Sequence, residues 1–128
     1  MNERWPSITR IYTDHHHASA FEDIYVPMTE IGGGLECAEI PCESFSFREK
    51  PDANVIPLHP APRRQLLITL DGILEIEATN GDTRRFGPGQ MLFADDMQSS
   101  GHVARQLGNR KSLVIRLSED LDISTWRP

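Results

Sequence analysis

The chain has 128 residues, 19 acidic against 13 basic, a formal charge of −6 and 38 % apolar residues. A single domain, residues 1–128, is the expectation, since a chain of this size buries about two thirds of its unfolded surface without staples. No apolar run reaches the roughly 18 residues of a membrane span. The start MNERWPSITR lacks the apolar stretch of a secretory signal, and net negative charge disfavours nucleic acid and anionic lipid as partners.

Short apolar or alternating runs, punctuated by Gly, Pro, Asn and Asp, set an all-β rhythm. Ser7 to Tyr12 and Phe21 to Val26 read as strands, and Ile31-Gly-Gly-Gly34 as a turn. Ala38 to Arg48 is strand-like but carries Pro41, which confines it to an edge or splits it. Pro51, Pro57, Pro60 and Pro62 make 51–62 extended rather than helical. Gln65 to Leu70, then Asp71-Gly72, then Ile73 to Ala78 reads as a hairpin. Asn80-Gly81 and Gly87-Pro88-Gly89 are further turns around Thr83 to Phe86, followed by strands Met91 to Ala94, His102 to Leu107 and Ser112 to Leu117. The fold class is antiparallel β, a barrel or a jelly roll. Trp5 and Trp126 are expected to bury their rings and anchor the two ends.

Strand parity groups Gln65, Leu67 and Thr69 on one face, and His102, Ala104 and Gln106 on another. Polar residues interleaved with apolar ones either line a polar cavity or look at solvent.

His59-Pro-Ala-Pro-Arg-Arg-Gln65 followed, six residues on, by Gly72 resembles the first cupin motif, which runs His-x-His, spacer, Glu, spacer, Gly. Gly81-Asp-Thr-Arg-Arg-Phe-Gly-Pro-Gly89 with the later His102 resembles the second. The resemblance covers 55–117, with 1–54 supplying N-terminal strands that complete the barrel or a dimer edge. It implies a cupin-like barrel or jelly roll of two antiparallel sheets with the site inside. In the usual cupin site three histidines and a glutamate hold iron, manganese, nickel or zinc. Here Ala61 and Gln65 stand at the second histidine and the glutamate positions, so the metal set implied is His59, Gln65 and His102, without ligand charge unless Asp95 or Asp96 adds it.

That depletion favours acid–base chemistry without a required cofactor. Asp96, which shares parity with Leu92 and Ala94, is the candidate partner that would fix the tautomer of a pocket histidine, as in the metal-free sugar epimerases of the superfamily. The candidate catalytic groups are therefore His59, His102 and Asp96, and the candidate substrate-binding groups Arg63, Gln65 and Thr69. Arg63 has the parity of His59, Ala61 and Gln65, with Arg64 pointing outward; a guanidinium there would recognise a carboxylate or a polarised carbonyl, or would pair with Glu75 and Glu77 at the surface. The basic set is eleven arginines and two lysines, which reads either as surface pairing or as one or two side chains holding an anion.

His15-His16-His17 reads as loop, and Cys37 and Cys42 as reduced thiols. The expectation is a small-molecule isomerase, epimerase, cyclase or lyase working by proton transfer. The alternatives are a metal-dependent dioxygenase or related oxidoreductase, and a non-catalytic ligand-binding cupin. The protein is expected to be soluble and cytoplasmic, and to pair as a homodimer through an edge strand near the N-terminus.

Overall fold

Apolar residues at alternate positions dominate 65–78 and 102–117, and in a computed structural model of the chain, which describes residues 4–51 and 55–128, these two stretches are the longest strands. The described residues are all-β, with 60 % in strands and no helix. In chain order the strands are β1 (Ser7–Thr13), β2 (Ser19–Tyr25), β3 (Thr29–Ile31), β4 (Gly34–Glu36), β5 (Cys42–Lys50) and β6 (Val55–His59). They continue with β7 (Gln65–Ala78), β8 (Thr83–Phe86), β9 (Met91–Asp95) and β10 (His102–Leu117). Since no helix is present among the described residues, none is long and apolar enough to cross a membrane.

One large sheet runs β2-β1-β9-β7-β10-β5, with β6 added to β10 and β8 added to β7; β3 and β4 form a separate hairpin across Gly32-Gly33. The large sheet is mixed, because β1 lies parallel to β9, and it does not close into a barrel. The expectation of two purely antiparallel sheets is corrected on that point: chain segments far apart in sequence meet at β1 and β9, and no hairpin constrains their direction.

The expected hairpin at Asp71-Gly72 is also not formed. β7 runs straight through it, pairing over Gln65–Ile68 with β9 and over Leu74–Glu77 with β8, while β10 accompanies it along both halves. The register breaks between Leu107 and Ser112, opposite Asp71-Gly72, so the positive-φ Gly72 serves a bulge rather than a turn. Asn109 O stands where a Gly72 side chain would go, which leaves only glycine there. The turns at 80–81 and 87–89 form as the sequence predicts, with Gly81 N donating to Ala78 O and Gln90 N to Gly87 O.

Alternation along the central strands feeds two cores. Ile11, Leu74, Ile76, Leu92, Ala94 and Ala104 pack on one face, and Ile8, Ile24, Phe93, Leu117 and Ile123 on the other. Trp126 packs on the second core, and its carbonyl accepts from Tyr25 N. Trp5 does not anchor its end in the core and is 70 % exposed.

Candidate functional site

The first core does not fill completely. Between Leu67, Leu74, Ile76 and Leu92 lies a cavity of about 130 Å³. This is close to the roughly 150 Å³ that holds a benzene ring. Leu67, Leu74, Ile76 and Leu92 make the apolar wall; the polar groups are His59, Gln65, His102, Gln106 and Ser112, with three cationic side chains, Arg48, Lys50 and Arg110. Among the described residues no Asp or Glu lines it.

The two histidines meet because β6 pairs with β10 and places His59 directly across from His102. Their rings lie 4.8 Å apart between centroids. Gly101 makes this approach feasible: at φ +107°, a Cβ there would come within 2.6–2.9 Å of His59 backbone atoms.

Asp96 stands behind His102, fully buried, one residue past the end of β9. Its Oδ2 lies 2.6 Å from His102 Nδ1 and accepts from Ser99 Oγ at 3.2 Å, while Oδ1 accepts from Ala61 N at 3.1 Å. A carboxylate only accepts, so Nδ1 of His102 carries the proton and Nε2 keeps its lone pair. His59 follows the same logic, since its Nδ1 lies 2.8 Å from Pro57 O, an acceptor. Both imidazoles therefore hold Nε2 as the free nitrogen in their neutral forms.

The remaining sequence candidates divide. Gln65 lines the cavity; Thr69 is buried and its Oγ1 accepts from Arg110 at 3.0 Å. Arg63 is exposed and does not line the cavity; it borders an outer groove with Ser44, Ser46 and Arg116 that shares Arg48, His59, Pro62 and Gln65 with the cavity. Arg64 reverses the expected orientation: it is buried, donates to Asp95 at 3.0 Å and to the carbonyls of Ser118, Glu119 and Leu121, and lies over the Phe93 ring. The loop 60–64 between β6 and β7 breaks the strand parity assumed from His59 to Gln65. Asp95 faces away from the cavity and is taken up by Arg10 and Arg64.

Sequence reasoning missed Arg48, Lys50 and Arg110. They follow from parity once β5 and β10 are known to pair as Arg110 with Lys50 and Ser112 with Arg48. Arg110 is buried, and its Nε has no hydrogen-bond partner among the described residues. Burial, and then the nearby Arg48 charge, pull its guanidinium below its ordinary value.

The donor set does not fit a resident divalent metal. No group of three His, Cys, Asp or Glu side chains converges among the described residues. The two imidazoles and the Gln65 amide bring no negative charge, Ala61 has only a methyl where the motif offers a second histidine, and three cations share the cavity. His15-His16-His17 stays in the β1–β2 connection, and Cys37 and Cys42 are both free thiols. No protein-family model and no curated protein sequence matches the chain.

Proposed function

We propose that the chain is a cupin-like enzyme that moves a proton on a small organic molecule bound in this cavity, as an isomerase, epimerase, cyclase or lyase. The observation that carries the reading is the buried Asp96–His102 pair at 2.6 Å, which leaves the Nε2 lone pair of a cavity-lining imidazole free. His102 Nε2 takes a proton from a carbon next to a carbonyl, and the electron pair passes to the carbonyl oxygen. The imidazolium that forms is stabilised by the Asp96 carboxylate. His59, protonated on Nε2, returns a proton to the carbon; solvent then takes the proton from His102 and replaces the one on His59. Gln65 supplies an amide donor for the developing enolate oxygen. No cofactor takes part.

The two motifs around His59–Gly72 and Gly81–His102, and their meeting at one cavity, support the jelly-roll relationship. Free cysteines are in keeping with a cytoplasmic setting. Partnering with a second copy is supported by β5, whose polar residues Ser46, Arg48 and Lys50 border the cavity or its outer groove. Its Phe45 and Phe47 are 67 % and 74 % exposed.

The test is deuterium uptake from D2O into a panel of small ketones, hydroxy acids and keto acids, followed by NMR with chelator-treated protein. Uptake that survives chelation and is lost in His102→Gln supports the reading. Turnover that appears only after iron or manganese is added would overturn it in favour of the oxidoreductase.

A further inference from the structure

Resting on the same cavity reading, we infer that the substrate is a carboxylate, and that Arg110, with Arg48 and Lys50, is the site that holds it. Arg110 is a buried cation whose environment is incomplete: one nitrogen donates to Thr69 Oγ1, the Nε is unpartnered, and no acidic side chain pairs with it among the described residues. Burying a charge without a counter-ion is costly, so such a group is retained where an external anion completes it. Arg48 and Lys50 add two more cations on the adjacent strand, at the exposed side of the cavity. In a chain of net charge −6, a cavity lined by three cations and no acid is a local reversal of sign. It draws anions inward.

The geometry favours a carboxylate over a phosphate. A guanidinium fork matches the two oxygens of a carboxylate. The space beside it is walled by Leu67, Leu74 and Ile76, which suits a short hydrocarbon body. His102 lies eight residues from Arg110 along β10, on the far side of the register break, so the two line different stretches of the same wall.

The test is calorimetric titration of the full chain with straight-chain carboxylates from acetate to hexanoate and with benzoate, each beside its primary amide, and with inorganic phosphate. At least one carboxylate is expected to bind about tenfold or more tightly than its amide, the value of one charge-assisted hydrogen bond. Arg110→Met is expected to abolish that preference, leave the amide unchanged, and raise the melting midpoint of the ligand-free protein. Arg48→Ser, at an exposed position, is expected to weaken the carboxylate about threefold by lost attraction alone. Equal binding of every carboxylate and its amide, or a preference that survives Arg110→Met, overturns the proposal. Phosphate binding tighter than every carboxylate overturns the assignment of the anion. His102→Gln separates this inference from the proton-transfer reading: carboxylate preference retained with deuterium uptake lost supports both. Uptake into neutral ketones without any carboxylate preference sinks the anion site alone.

Discussion

Replacing Asp96 by asparagine changes one atom and inverts one hydrogen bond. In the native protein Asp96 Oδ2 accepts from His102 Nδ1 at 2.6 Å and from Ser99 Oγ at 3.2 Å, while Oδ1 accepts from Ala61 N at 3.1 Å. With Oδ1 kept on Ala61, the amide nitrogen of the substituted side chain faces Nδ1–H of His102, donor against donor. The least costly repair moves the imidazole proton to Nε2, so that Nδ1 accepts from the amide. A charge-assisted bond worth about 1.5–3 kcal/mol becomes a neutral one worth about 1 kcal/mol, so stability falls by about 0.5–2 kcal/mol. If the proposed proton transfer holds, its rate is expected to fall far more, by roughly 10²–10⁴, because the Nε2 lone pair assigned as general base is gone. Two assays separate these effects. Urea unfolding reads the stability, and long-range ¹H–¹⁵N correlation of the His102 ring reads which nitrogen carries the proton. The reasoning is refuted if the native ring already carries its proton on Nε2, or if Asp96→Asn leaves the tautomer and the deuterium uptake as they were.

Gly101→Ala is expected to cost about 2–4 kcal/mol in urea unfolding, since a Cβ would strike the His59 backbone and the positive φ would be strained; weakening of the His59–His102 contact would show as shifted ring resonances of both. Arg64→Ala should destabilise by about 3 kcal/mol, by removing the donor to Asp95 and to three carbonyls of the C-terminal segment, yet leave carboxylate binding intact. Arg63→Ala, at an exposed position outside the cavity, should change neither stability nor affinity beyond about 0.5 kcal/mol. Phe47→Glu should convert a dimer to a monomer in light scattering without changing the fold; a native protein that is monomeric at high concentration sinks the pairing.

Local alternation carried much of the site, and long-range pairing carried the rest. Parity alone grouped Gln65, Leu67 and Thr69, of which the first two line the cavity, grouped His102, Ala104 and Gln106, and put Asp96 with Leu92 and Ala94, because a strand keeps its period of two wherever its register is unbroken. It failed from His59 to Gln65, where a loop separates β6 from β7: Arg63 is exposed rather than in the cavity, and Arg64 is buried against Asp95 and Phe93 rather than pointing outward. It also stopped short at Leu107. The break in register before Ser112 hid the continuation of β10, and with it Arg110 and the pairing to Lys50 and Arg48. Asp71-Gly72 misled for the same reason: a residue pair that favours positive φ serves a hairpin turn or a bulge equally well, and only the partner strand decides.

The polarity of β5 shows how these pieces act together. An edge strand ordinarily turns its polar side to water and its apolar side to the core. Here Arg48 and Lys50 face a cavity, while Phe45 and Phe47 face outward and touch each other edge-to-face at 5.9 Å. The outer half of that arrangement costs free energy in an isolated chain, since two aromatic rings meet water, whereas Arg48 and Lys50 stay exposed to solvent at the cavity mouth. The carboxylate proposed for the cavity would neutralise the inner side, and a second copy would cover the outer side. On that reading one strand joins the proposed substrate site to the proposed subunit contact. Carboxylate binding should therefore tighten the dimer, and Phe47→Glu should weaken carboxylate binding although Phe47 does not line the cavity.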